Sequence, residues 1–301
     1  MSHGLHRPSS DTTPATILRT WQLALPPTGR FSHLTAAGLY GWWLPPLPER
    51  LPVWASIHED ESRPRRHGLK TVRQDFLAAP RLVAGVRLDP PADTILACAR
   101  DLGLLDLVVL MDAALQLGSC TRADLEGAAR RRRRGVPLFR RALELTDGRS
   151  ESLWETLLRL LHRVCDIDVE PQHRLYDTAG TELARADLWV RGTNALHEYD
   201  GHHHLDKSRQ RKDLARARRI NNVDWVRRGY TDVDVLHRSV GILRDADLSL
   251  GREHRPDRIR AWHRLLKDSL MTPTGHDRLL RRVSSPTRTA GNGEERHGHA
   301  G

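Results

Sequence analysis

The sequence predicts an α/β protein of the α+β kind, divided into two domains. Three observations predict it. The chain has 301 residues, and one core usually serves about 100–200. Its hydrophobic fraction of 39% is too high for full disorder and low enough to leave loose ends. In its second half, apolar runs alternate between helical and strand periods, in the order helix, strands, helix, strand, helix.

The first expected domain runs from residue 15 to 147. A helix is expected over Ile17–Leu25, stopped by Pro26 and Pro27. Ser32 then reads as the cap of a short helix with Leu34 and Ala37 inward. Strand-like runs follow at Val53–His58, Leu69–Asp75 and Leu82–Leu88. Helical runs come next at Asp93–Asp101, Leu104–Leu117, Arg122–Arg132 and Leu138–Leu145. Thr121 is a cap candidate for the third of these, with Asp124 suited to the helix dipole. Trp42, Trp43 and Trp54 read as core. His33 reads as a tie between helix and sheet, and the arginine run Arg130–Arg134 as a solvated helix end or a DNA contact.

The second expected domain covers residues 150–271. Ser152–Val164 is amphipathic, with Leu153, Leu157, Leu160, Leu161 and Val164 on one face. Strands are expected at Val169–Tyr176, Leu183–Val190, Ala195–Tyr199 and Val223–Tyr230. Helices are expected at Lys207–Ile220, Asp234–Leu243 and Arg258–Leu270. Residues 1–14 and 272–301 read as disordered tails.

The composition also excludes function classes. The most apolar stretch, Leu104–Leu117, is broken by Asp106 and Asp112 and is too short to span a bilayer. Residues 1–11 lack the apolar segment of a secretory signal. Cys98, Cys120 and Cys165 form no CxxC pair and no even disulfide framework. A cytoplasmic protein with reduced thiols is expected. Lys plus Arg exceed Asp plus Glu by 48 to 38, a formal net charge of +10. That balance suits a polyanionic partner such as nucleic acid.

One segment carries chemistry. A turn centred between Gly192 and Thr193 sets Asp187 opposite Glu198, on one sheet face with Cβ atoms about 5 Å apart. Asp200, two residues on, shares that face. Two such charges repel by about 3 kcal/mol at an effective dielectric of about 20. A divalent cation is the natural compensation, and carboxylate oxygens suit Mg²⁺ or Mn²⁺. Asp187, Glu198 and Asp200 are therefore the candidate metal ligands. Gly201 lets the chain leave the strand, and His202, His203 and His204 follow, with His204 the candidate proton carrier. The next expected helix carries Lys207, Arg209, Arg211, Lys212 and Arg216, placed to meet DNA phosphates.

The ordered set Glu198-Tyr199-Asp200-Gly201-x-x-His204, Asp213-x-x-Arg216 and Trp225 to Tyr230-Thr231 resembles a bacterial domain family of unknown function. That family is similar to the very short patch repair endonuclease, within the PD-(D/E)xK superfamily. Ser152-x-x-Glu155-Thr156-x-x-Arg159 resembles its opening helix. The resemblance covers about residues 150–243. It implies a restriction-endonuclease-like three-layer domain with a mixed sheet, with Asp187 and Glu198 on a metal and Glu155 completing the site. Asp200 stands where many members carry the lysine of ExK, so His204 or another ligand scheme would have to serve.

Phe31-Ser32-His33-Leu34-Thr35-Ala36-Ala37 with Gly41, the three strands, and the helical pair over Ala92–Gly118 resemble the N-terminal half of AbiEi-like antitoxins. The leading winged helix of those proteins is not seen. Two readings stay open. One is a Mg²⁺- or Mn²⁺-dependent DNA endonuclease of the very-short-patch-repair type, in repair or phage defence. The other is a non-catalytic nucleic-acid-binding or type IV antitoxin-like regulator that keeps a nuclease scaffold. A homodimer and a toxin partner are open under either. For Asp187 and Glu198, ion pairs with arginine are the bland alternative. For Glu155 it is a pair with Arg159 at i+4.

Overall fold

A computed structural model describes residues 13–75, 78–201 and 225–284. The architecture is α+β, with two mixed sheets and helices between them. The first sheet holds β1 (Arg30–Phe31), β2 (Val53–His58), β3 (Leu69–Gln74), β4 (Arg81–Val83) and β5 (Val86–Leu88), in the order β3-β2-β1-β5-β4. The expected strand over Leu82–Leu88 is in fact a hairpin. Ala84 and Gly85 adopt φ of 48° and 77°, as a tight two-residue hairpin turn requires. Leu82, Val83, Val86 and Leu88 masked that turn by giving a mostly apolar run.

Around this sheet lie α1 (Pro14–Gln22) and α2 (His33–Leu39). Thr13 caps α1, where Pro14 occupies the first turn and forfeits no helical hydrogen bond. Ser32 sits at the N-cap of α2 but its side chain makes no capping bond there. His33 begins α2 at φ 54°. Its ring stacks on Trp54 at 4.6 Å and faces Asp101, Nε2 to Oδ2, at 3.2 Å. The expected tie between helix and sheet is present, and Trp42 and Trp54 are buried.

The helical layer comprises α3 (Pro91–Cys98), α4 (Leu104–Gln116), α5 (Arg122–Ala129), α6 (Val136–Leu145) and α7 (Leu153–Val164). Thr121 and Asp124 form a full capping box on α5. Every residue of α4 from Leu104 to Ala114 is buried, the condition of a helix covered on all sides. Two aspartates inside that helix join parts of the chain far apart in sequence. Asp106 accepts from Ser269 Oγ at 2.6 Å and Leu270 N at 3.0 Å. Asp112 accepts from the backbone N–H groups of Asp147 and Gly148, both at 2.9 Å, from Thr156 Oγ1 at 2.9 Å and from Arg159 Nη2 at 2.8 Å. The boundary expected near Ser150 is thus a change of sheet. The hydrophobic core itself is continuous from Leu34 to Leu279.

The second sheet contains β6 (Val169–Tyr176), β7 (Glu182–Val190), β8 (Ala195–Tyr199) and β9 (Val226–Tyr230) in sequence order. Pairing is antiparallel except between β8 and β9, which are parallel. Helices α8 (Asp232–His237), α9 (Ser239–Ser249), α10 (Arg260–Leu266) and α11 (Pro273–Ser284) follow, with a 3-10 turn at Pro256–Ile259. The single helix expected over Asp234–Leu243 is two, broken at Arg238, where φ is −122°. Residues 273–284, read from sequence as a disordered tail, form α11. Leu279 is buried in the core and the Lys70 ammonium donates to the carbonyls of Arg282 and Val283. One apolar anchor amid arginines left too weak a periodicity to read. No helix among the described residues is long and apolar enough to cross a membrane.

Candidate functional site

The β7–β8 turn fixes the site. Gly192 takes φ 76°, Thr193 Oγ1 donates to Val190 O at 2.7 Å, and Trp189 Nε1 donates to Thr193 O at 2.8 Å. Leu188 pairs with His197 and Trp189 with Leu196, the register expected from a turn centred between Gly192 and Thr193. The ladder ends at Leu188–His197, one step short of the expected Asp187–Glu198 pair. There Asp187 Oδ2 accepts from Tyr199 N at 2.9 Å, so its carboxylate stands in for a strand carbonyl.

Glu198 is buried. Its Oε2 lies 2.5 Å from Arg227 Nε, and Arg227 Nη2 lies 2.6 Å from Asp200 Oδ1. One guanidinium from β9 therefore spans both carboxylates. Burial lowers the Arg227 pKa, but the charges and hydrogen bonds of Glu198 and Asp200 outweigh it and raise the value. Asp200 donates its own N–H to Tyr230 O at 2.8 Å. Its carboxylate lies over Gly229, where an added Cβ would come within 1.6 Å of Oδ2. The absence of a side chain at residue 229 is what leaves room for the carboxylate in this rotamer.

Glu155 approaches from the helical side. Ser152 caps α7 by accepting from Glu155 N at 3.1 Å. Glu155 Oε2 accepts from Glu151 N at 2.7 Å and Gln172 Nε2 at 2.8 Å. Burial pushes the Glu155 carboxyl up, against those hydrogen bonds. Gln172 has φ 55° and lies between the pairs Pro171–Leu188 and His173–Ala186, across the ladder from Asp187. A non-glycine residue in that region is strained, and here the strain aims an amide at Glu155. The expected i+4 pair with Arg159 does not form, because Arg159 turns instead to Asp112.

The opposite face of β8 holds a buried polar chain that the sequence did not disclose. His162 Nδ1 bonds Leu158 O at 2.8 Å, and His162 Nε2 bonds His197 Nδ1 at 2.8 Å. Because a carbonyl only accepts, His162 carries its proton on Nδ1, and its Nε2 accepts from His197 Nδ1–H. Beyond it, Tyr230 Oη stands 3.5 Å from His197 Nε2 and donates to Asp245 Oδ2 at 3.1 Å. His197 and Glu198 are neighbours in sequence but face opposite sides of the sheet.

Comparison with known proteins adds little to this geometry. The chain is 28% identical over 158 residues to two uncharacterized Mycobacterium tuberculosis proteins. They are MT2308 of strain CDC 1551 / Oshkosh and Rv2248 of strain ATCC 25618 / H37Rv. The match covers 51% of this chain and 58% of each relative. No family model and no solved structure matches.

Other expectations resolve individually. Arg185 pairs with Glu151. Arg131 and Arg133 turn onto Asp93, so the Arg130–Arg134 run is neither wholly solvated nor wholly available to DNA. His202, His203, His204, Lys207, Arg209, Arg211, Lys212, Asp213 and Arg216 lie outside the described residues. Arg227 and Gln172 escaped the sequence reading. Only the alternation of β9 against β8 held a signal for the first, and the backbone strain behind the second has no signature in sequence.

Proposed function

We propose that this chain is a metal-dependent DNA endonuclease, with the second sheet as its catalytic platform. One observation carries the reading: Glu198 and Asp200 gather on a single positive group, beside the point where Asp187 ends the β7–β8 ladder. The donor set fits a hard divalent ion in its chemistry, being carboxylate oxygen throughout. Among the described residues, no cluster of three or more His, Cys, Asp or Glu side chains is already arranged around one point. Arg227 lies between two of the three candidates, and its side chain is 34% exposed, so it has room to turn outward. Asp187, Glu198 and Asp200 would then hold the ion. When bound, such an ion neutralises charge on a phosphodiester and acidifies its water.

The chain's own groups suit the remaining tasks. Glu155, with its carboxyl pushed up by burial, holds a proton more readily than a solvated carboxylate does and is the first candidate proton carrier. His204 is the other proton carrier of this proposal. Arg227 returns a positive charge to the strand edge where the resemblance would have a lysine and Asp200 stands. Plasmid nicking with Mg²⁺ or Mn²⁺ tests the reading. Asp187→Ala and Glu198→Ala should each slow nicking by at least about 100-fold. Equal rates in both variants and wild type would sink it. Arg227→Ala should slow the single-turnover rate by about 10-fold or more, with Arg227→Lys restoring part of it. A faster Arg227→Ala enzyme would show that the guanidinium blocks the site.

The Arg227 bridge also favours the second reading, a DNA-binding or antitoxin-like regulator on a nuclease scaffold. A carboxylate pair neutralised by arginine needs no metal. Titration calorimetry separates the two, since stoichiometric Mn²⁺ binding that disappears in Glu198→Ala excludes the regulator.

A further inference from the structure

A groove of about 1620 Å³ runs along the free edge of β3, far in sequence from the carboxylates. Its floor is Leu69–Thr71 with Arg73, and one wall is the connection between β2 and β3. The other wall is the end of α11 at Val283 and Ser284, with Arg50–Pro52 closing it. Parallel neighbours usually need a crossover of a dozen or more residues. Here the ten residues 59–68 make it without a helix, and this short loop brings Arg63, Arg65 and Arg66 to the rim.

The groove's charge has one sign. Arg50, Arg63, Arg65, Arg66, Lys70 and Arg73 line it, and no Asp or Glu is among the described lining residues. Arg63 is fixed in place, its Nε donating to Thr71 Oγ1 at 2.9 Å and its Nη2 to Thr71 O. Arg73 donates to the carbonyl of Glu61 at 3.1 Å. These bonds run to a hydroxyl and to carbonyl oxygens, which hold the two side chains along the strand. Burial depresses the Lys70 ammonium, Asp101 opposes that, and Arg100, Arg63 and Arg134 depress it further.

Charges on an edge strand also discourage pairing with another sheet. That role needs neither a concavity of this size nor the exclusion of carboxylates from it. Among the described lining residues there is no Phe, Tyr or Trp, so they offer no stacking platform for the bases of a single strand. The sequence after Ser284 holds two Glu and two Arg, and so supplies no net counter-charge. We propose that this groove binds the phosphate backbone of duplex DNA without reading its sequence. The choice of DNA over RNA rests on the function proposed above, while the cation set stands without it.

The test uses the full chain and a fluorescent 20-base-pair DNA duplex, titrated across a salt series without divalent ions. Arg50→Ala/Arg65→Ala/Arg66→Ala should weaken binding about 10-fold or more at low salt. It should also flatten the slope of log K against log salt by about 2–3, near 0.9 per lost phosphate contact. Far-UV circular dichroism and the thermal midpoint check that the triple variant folds. Lys70 and Arg63 are left intact because they hold α11 and β3. Arg255→Ala/Asp257→Ala, a charge-neutral change at an exposed pair away from both sites, should keep wild-type affinity and slope. An unchanged slope in the folded triple variant overturns the proposal, as does tighter binding to single-stranded DNA or to an RNA duplex. If the triple variant loses binding while Asp187→Ala and Glu198→Ala still nick like wild type, the groove stands and the nuclease reading falls.

Discussion

Replacing Asp112 with alanine is expected to destabilise the folded chain by about 3–5 kcal/mol, measured by urea unfolding. The carboxylate and its partner Arg159 are almost wholly buried, with side chains 0% and 3% exposed. Removing the anion leaves a buried guanidinium whose remaining hydrogen bond, to Leu145 O at 2.9 Å, does not cancel its charge. It also strands two backbone N–H groups at the joint, those of Asp147 and Gly148. The damage should therefore reach both sheets in one transition. Asp112→Asn should fall between the two, since it keeps an acceptor and loses the charge. Asp112→Leu/Arg159→Met should be more stable than the sum of its single variants, because no charge is then left unpaired. A loss below about 1 kcal/mol for the alanine variant would show that Asp112 does not hold the joint.

Acidification should weaken the folded state through the His162–His197 pair. Burial depresses His162 to about 4, against the pull of its bond to Leu158. Burial, then the charges of His162 and Arg228, depress His197 to about 2. Both imidazoles stay neutral in the fold while the unfolded chain takes up protons near pH 6.5. Their contribution is complete above about pH 6.5 and is lost as pH falls toward 4. At about 1.4 kcal/mol per pH unit, His162 alone accounts for about 3 kcal/mol across that window. The geometry gives the same sign: a proton on His162 Nε2 would point at His197 Nδ1–H. Asp89 and Asp106 act the other way, raised by burial to about 7 and about 6. They favour folding at low pH, so the wild-type curve alone does not isolate the histidines. The slope of unfolding free energy between pH 6.5 and 4.5 should change by about one proton's worth in His162→Phe, and an unchanged slope refutes the assignment.

Much of the second sheet was legible because a turn and a two-residue alternation define it. Val169–Tyr176 and Ala195–Tyr199 are found as expected, and so is the register beyond Gly192. Val53–His58 in the first sheet was equally plain. The partner of the carboxylates was not. Arg227 lies 29 residues beyond Glu198, and nothing local marks which of two adjacent arginines turns inward. The hairpin at Ala84-Gly85 was lost because alanine seldom takes positive φ, so the pair carries no turn signal. In the sequence His162 and His197 are each a polar residue directly after a leucine. Only the packing of α7 on β8 shows that each satisfies the other.

The close approach of Asp200 to Gly229 makes this site vulnerable to addition as well as to deletion. A single methyl at position 229 would evict the carboxylate without removing any functional atom. Positions 200 and 229 are thus coupled sterically across the two strands. With glycine at 229 the Asp200 carboxylate can stay on Arg227, and a side chain arriving at 229 would force it to another rotamer.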